Sequence, residues 1–157
     1  MMTKKEAGRW ALFALRLVVG FGFMAHGYAK LSRGPEGFAA ILQHLNVPLP
    51  TIAAWLTIIT EILGGLAVFL GGFVAWASIP MAFVLIVATI TVHFQYGFSS
   101  IRLLSATPTG ATFGPVGYEL NLLYFVALLT LALEGPGPLA IDNLRRASKP
   151  RDDAAEK

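Results

Sequence analysis

The sequence predicts an all-α fold, an integral membrane four-helix bundle in which every span carries a polar residue. Of its 157 residues, 55% are hydrophobic and 13% are charged, whereas a soluble domain has about 25% charged residues. Four apolar stretches each approach the roughly 20 residues that a helix needs to cross a hydrocarbon core. The predicted spans are residues 10–28, 52–70, 73–94 and 116–133.

Only Gly71 and Gly72 separate the second span from the third. Together the two spans form about 40 apolar residues, roughly twice the length that one bilayer-crossing helix needs. The glycine pair therefore predicts a turn. Pro80 lies inside the third span, where its ring and missing N–H predict a kink.

The first connection predicts a short amphipathic helix in an outer loop. Pro35 suits a first helical position, and Phe38, Ile41, Leu42 and Leu45 recur with helical spacing. This helix is expected either to lie on the outer membrane surface or to pack across the bundle mouth, as a cap without a functional role or as a substrate gate. No strand is predicted anywhere in the chain.

Basic residues predict the orientation and the end of the domain. Lys4, Lys5 and Arg9 precede the first span, and more Lys and Arg follow the fourth. By the positive-inside rule both termini are expected in the cytoplasm. A short basic cytoplasmic helix is predicted from Leu139 to about Ala147, closing a single domain of residues 1–147. Residues 148–157 are polar and are predicted to be disordered.

A rise of 1.5 Å per residue places the polar side chains in two groups by depth. The deeper group is Arg16 with Glu61, whose depths differ by about 7 Å. That gap is within reach of an arginine, so the two are predicted to form a buried ion pair. The pair would fix helix register or handle a ligand or protons. Lys30 is expected to extend outward to the membrane surface.

The outer group consists of His26, Lys30, His93 and Glu119, and with the deeper pair below it forms the predicted functional site. We assign catalytic roles to His26, His93 and Glu119 and cofactor-binding roles to Arg16, Lys30, Glu61, Tyr118 and Asn121. Histidine gains a proton readily near neutral pH, which suits a proton relay. The same residues would hydrogen-bond a quinone or another redox headgroup, could bind a metal through two nitrogens and a carboxylate, or could be partly wet interface residues without a role. No metal is assigned.

Composition excludes several classes of chemistry. The chain has no cysteine, so it forms no disulfide or thiolate metal site and performs no thiol redox chemistry itself. Its net charge is +3, but no basic stripe with interleaved aromatics suggests a nucleic-acid partner. No complete catalytic motif is present, so the sequence leaves open whether the protein is an enzyme.

Several different short motifs are spread over roughly residues 9–145. They are Arg16 followed by Gly20, His26-Gly27 followed by Lys30, Glu61 followed by Gly64-Gly65, His93-Phe94, and Gly117-Tyr118-Glu119. In this order, within four spans, they resemble the DoxX family of small bacterial membrane proteins. The resemblance implies an inner-membrane location and a membrane subunit of a quinone-linked oxidoreductase or oxidative-stress complex. The expected cofactor is then quinone.

The sequence also predicts partners, and it leaves alternative functions open. Membrane lipid, an oxidoreductase partner subunit and a homo-oligomer are the expected partners. A non-catalytic anchor or assembly subunit is the main alternative. A small-solute or lipid transporter is less favoured, because the chain shows no paired repeats with broken helices. Similar quinone-reducing four-helix proteins use cysteines. This chain has none, so their disulfide chemistry does not carry over to it.

Overall fold

The computed structural model describes residues 2–147. It contains seven α-helices and one β-hairpin within that range. The elements in order are α1 (Lys4–Ser32), α2 (Pro35–His44), α3 (Pro50–Ile59), α4 (Gly65–Leu70), α5 (Val74–Ala88), β1 (Leu103–Thr107), β2 (Gly110–Phe113), α6 (Glu119–Glu134) and α7 (Ile141–Ala147). The predicted tail at 148–157 lies outside the described residues.

Three continuous helices are long and apolar enough to cross a membrane: Lys4–Ser32, Pro50–Leu70 and Val74–Tyr96. They confirm the first three predicted spans. The fourth predicted span corresponds to α6, which has 16 residues. Its length of about 24 Å falls short of a core of about 30 Å. α6 packs against α5 in the bundle, and its crossing of the membrane stays a prediction.

The predicted turn at Gly71 and Gly72 is confirmed. Gly71 has φ +72°, a left-handed conformation that glycine adopts without steric penalty. Its N–H donates to Val68 O at 3.0 Å, and the Gly72 N–H donates to Ala67 O at 2.9 Å. These bonds satisfy carbonyls at the end of α4 and let the chain reverse directly into α5.

Glycines bring α1 into backbone contact with the second long helix. A Cβ built on Gly20 would lie 2.6 Å from Phe69 N and 2.7 Å from Gly65 O. Seven residues later, a Cβ on Gly27 would lie 2.7 Å from Ile62 Cγ1. Small residues in such positions allow close helix approach in a membrane. The buried core beside this seam is built from Val19, Phe23, Val68, Val74, Met81, Leu128 and Leu131.

Gly20→Ala is expected to destabilise the bundle by about 1–3 kcal/mol, the usual cost of overpacking a tight contact. The matched control is Gly8→Ala on the same helix, where an added Cβ meets nothing within 4 Å. The control should be neutral or slightly stabilising, because alanine is the better helix former. Unfolding in mixed micelles at increasing SDS measures both. Equal stability of the two variants would contradict the close packing.

Two π-helical segments interrupt the long helices where polar residues occur. One spans Thr60–Gly64 and contains Glu61, and the other spans Thr89–His93. Such segments are rare in proteins, and those that occur often lie at functional sites. Each changes the direction in which the following side chains point. The sequence analysis predicted neither of them.

The expectation that the chain lacks strands is wrong. β1 and β2 pair antiparallel, with Ser105 opposite Thr112 and Ala106 opposite Ala111. Thr107 Oγ1 donates to Gly110 O at 3.0 Å across the connecting turn. Threonine is frequent in strands, and Gly110 supplies a φ of +153°. Every residue of both strands is exposed, so the hairpin projects from the bundle.

Both predicted short helices are present. α2 buries Ala39 and Leu42 against Ala54 of α3, as expected of an amphipathic helix. α7 begins at Ile141, and its Asp142 carboxylate accepts hydrogen bonds from Phe73 N at 2.8 Å and Val74 N at 3.2 Å. α7 thereby accepts from N–H groups in the first turn of α5 and ties the C-terminal segment to the turn between α4 and α5.

Candidate functional site

A part-buried ion pair joins Lys30 of α1 to Glu61 of the first π segment. The Lys30 Nζ lies 2.7 Å from Glu61 Oε1 and 2.6 Å from Oε2. The Phe38 ring of α2 lies 5.4 Å from the same Nζ, close enough for a cation–π interaction. The predicted outward extension of Lys30 is therefore wrong, because a buried carboxylate lies within its reach and α2 covers it.

Arg16 does not pair with Glu61, so that prediction is also wrong. Its Nη1 donates to Pro136 O and its Nη2 to Leu139 O, each at 3.2 Å. The guanidinium also lies 5.1 Å from the centre of the Phe13 ring. The physical reason is direction: Arg16 turns toward the peptide segment after α6, while Glu61 is already satisfied by Lys30. Arg16 is buried and forms no salt bridge with any residue in 2–147.

His26 lies one helical turn before Lys30 on α1, and positions four apart share a helix face. Its imidazole packs edge-on to Tyr124, with ring centroids 6.4 Å apart. Tyr124 lies over Gly22 and packs against Phe23 at 5.4 Å. The sequence analysis missed Tyr124, because one tyrosine in an apolar helix carries no distinctive signal.

His93 and Glu119 both hold the loop before α6 in place. His93 Nδ1 lies 2.8 Å from Val116 O, and Glu119 Oε2 accepts a hydrogen bond from Ser100 N at 2.9 Å. The three residues predicted as catalytic therefore have separate partners. Across residues 2–147, no three His, Asp or Glu side chains come together to hold a metal.

A groove of about 350 Å³ lies between α6 and the third long helix. It contains two residues predicted to bind a cofactor, Tyr118 and Asn121. Asn121 Nδ2 donates to Thr89 Oγ1 at 3.1 Å, and the Thr89 hydroxyl donates to Leu85 O at 2.8 Å. The Tyr118 ring stacks on Phe94, with centroids 6.0 Å apart. Thr89, which begins the second π segment, was not predicted.

The walls of this groove are apolar and open to the outside of the bundle. They include Ile86, Ile90 and Leu122, all exposed. Apolar side chains exposed on a membrane helix face lipid. The groove thus combines a lipid-facing entrance with one polar pair, Thr89 and Asn121.

Comparisons with known proteins place the chain in a family. A family model described as DoxX matches residues 11–94. The chain is 24% identical over 133 residues to the Inner membrane protein YphA of Escherichia coli strain K12, covering 83% of this chain and 87% of that protein. It is 30% identical over 131 residues to an uncharacterized protein of Haemophilus influenzae, covering 82% and 86%. No solved structure matches it.

Proposed function

The chain belongs to the DoxX family of membrane proteins, and from that premise we propose that it is a bacterial inner-membrane subunit of a quinone-linked redox complex. The Escherichia coli relative is named as an inner membrane protein, which supports the location. The three long apolar helices support the membrane role. The proposal keeps both termini in the cytoplasm, as the basic flanks predict.

The groove carries the proposal. A quinone has a flat ring, two carbonyl oxygens that accept hydrogen bonds, and an apolar tail. The groove offers the Tyr118 ring beside the polar pair, and apolar walls open to lipid. Asn121 has two N–H donors, and Thr89 uses one of them, so the second is available to a quinone carbonyl. A volume of about 350 Å³ falls in the usual range for ligand sites.

Groups able to carry protons lie close to the groove. Quinone reduction takes up two protons with two electrons. Tyr124 lies three residues after Asn121, on the same face of α6, and contacts His26. His26 in turn lies one helical turn before Lys30, whose ammonium pairs with Glu61. In the proposal these residues handle protons, and His93 and Glu119 hold the adjoining loop. Electrons come from a partner subunit that carries a redox group.

Binding of ubiquinone-1 and a short-chain menaquinone to the purified protein, measured by titration calorimetry, tests the proposal. Asn121→Leu and Thr89→Val are expected to weaken binding about three- to tenfold, as loss of one hydrogen bond does. The matched control is Thr130→Val on α6, whose hydroxyl donates to Val126 O and to no other atom of residues 2–147. Unchanged affinity in both groove variants, with normal folding, would exclude the groove as the quinone site.

A non-catalytic anchor or assembly subunit is the second candidate. One observation favours it: Lys30, Glu61, Arg16, His93 and Glu119 all have partners inside the described part of the chain. Such contacts stabilise a bundle without any ligand. If the folded wild-type protein binds neither quinone in the same titration, the anchor function replaces the quinone proposal.

A further inference from the structure

A second cavity lies away from the groove, between α2 and the start of α3. It has a volume of about 200 Å³ and is bounded by Pro35, Glu36 and Gln43 of α2 and by Thr51 and Trp55 of α3. The proposed quinone site uses none of these residues. The cavity therefore calls for a separate explanation.

The polar groups of this cavity have no partners among the described residues. The side chains of Glu36, Gln43 and Thr51 form no hydrogen bond within residues 2–147, and Glu36 forms no ion pair there. No lysine or arginine lines the cavity. One carboxylate, one indole and two uncharged side chains with oxygen acceptors line the cavity, and together these groups favour an organic ammonium ion.

The position of the cavity indicates that this ammonium belongs to a lipid. α3 begins the second membrane span, and Trp55 is half-exposed near its start, where tryptophans mark the membrane–water interface. Below the cavity, α3 exposes Ile52, Leu56 and Ile59. These residues recur at helical spacing and form an apolar strip suited to acyl chains. A free amine has no acyl chain to pack against that strip.

We propose that this cavity binds the ammonium headgroup of an aminophospholipid, with Glu36 as its counter-charge and Trp55 as its cation–π partner. The acyl chains lie along the strip of Ile52, Leu56 and Ile59. Room for about six or seven water-sized units accommodates an aminoethyl group. The bound lipid joins α2 to α3 at the membrane surface. This assignment is independent of quinone binding.

The test uses the full-length protein reconstituted in vesicles of equal phosphatidylethanolamine and phosphatidylglycerol. After extraction in mild detergent, mass spectrometry quantifies the lipids that remain bound. The wild-type protein is expected to retain phosphatidylethanolamine in preference to phosphatidylglycerol. Glu36→Gln and Trp55→Leu should each lower that preference about three- to tenfold, as loss of one charge contact or one cation–π contact implies.

Matched controls exist elsewhere on the molecule. Glu134→Gln changes an exposed acid at the end of α6, and Trp76→Leu changes an exposed tryptophan of α5. Both should leave the lipid preference unchanged. Retention by the wild type in the ratio of the bulk vesicles would overturn the proposal, as would unchanged preference in Glu36→Gln. Binding of free ethanolamine as tightly as the phospholipid would overturn the assignment to a lipid.

Discussion

Replacing Arg16 with methionine is expected to destabilise the protein by at least about 2 kcal/mol, since hydrogen bonds to a charged group contribute about 1.5–3 kcal/mol each. The variant leaves two carbonyls, Pro136 O and Leu139 O, without their donor. It also removes the contact with the Phe13 ring. The gain from no longer burying a charge offsets only part of this loss.

The loss of stability should be concentrated in the segment after α6, which packs back against α1. Gly137 packs so closely on α1 that a Cβ there would lie 2.6 Å from Arg9 O. Arg16 also contacts the Gly71 turn, to which Asp142 N donates a hydrogen bond at 2.9 Å. Without the guanidinium, the segment from 135 to 140 should separate from α1. Limited proteolysis in that segment should therefore become faster, in parallel with lower resistance to SDS.

Two matched variants identify the cause. Arg16→Lys keeps the charge, but an ammonium cannot reproduce the planar fork that reaches two carbonyls, so an intermediate stability is expected. Arg9→Met removes an exposed arginine two turns earlier on α1 and should have little effect. Equal stability and equal proteolysis of Arg16→Met and Arg9→Met would show that the two carbonyl contacts contribute nothing.

Hydropathy located the three long helices, but it did not locate their ends. The first span was predicted at 10–28, whereas α1 begins at Lys4. Thr3 and Glu6 form a capping box that extends the helix beyond the apolar stretch. Hydropathy reports the part of a helix that lies in lipid, and capping decides where the helix starts. The first residue of the apolar stretch therefore need not be the first residue of the helix.

The partners of the polar side chains could not be predicted from depth alone. The rise per residue gives a position along the helix axis and not the direction in which a side chain points. That direction depends here on the close approach at Gly27 and on the π segment that carries Glu61. Arg16 binds main-chain carbonyls, and no residue type at those positions signals an acceptor.

Some features did leave a signal in the sequence. The segment from 103 to 113 is rich in Ser and Thr and contains Gly110, a composition typical of two strands joined by a turn. The glycine pair at 71 and 72 and the helical spacing in α2 gave correct predictions. Thr89 and Tyr124 had no such signal, because neither is charged at neutral pH and both lie in apolar stretches.

Replacing Lys30 is expected to destabilise the protein more than replacing Glu61, although both changes break the same ion pair. Lys30→Met leaves a carboxylate whose side chain is 7% exposed, and stranding a buried charge destabilises by about 3–5 kcal/mol. Glu61→Met leaves Lys30, which is 25% exposed and can redirect its ammonium toward water. The second variant should therefore lose only about 1 kcal/mol, in the range of a partly exposed pair.

The double variant Lys30→Met/Glu61→Met should recover much of the stability lost in Lys30→Met, because apolar residues can replace a buried ion pair with little net change. Unfolding in SDS mixed micelles of the wild type, both single variants and the double variant completes a double-mutant cycle. Lys5→Met, an exposed lysine on α1, is the control for loss of charge. Strict additivity in the cycle would show that the two side chains do not interact.

The same double variant tests whether the Lys30–Glu61 pair serves the groove, because it removes both charges while apolar side chains keep the helices packed. If its stability approaches that of the wild type while quinone binding in the groove weakens, the pair serves the ligand through His26 and Tyr124. If stability and quinone affinity both persist, the pair is needed neither for the fold nor for the groove, and the proposed role of Glu61 in proton handling loses its support. Because a stable double variant remains folded, any change in its quinone affinity reports the role of the charged pair in binding and not a loss of folding.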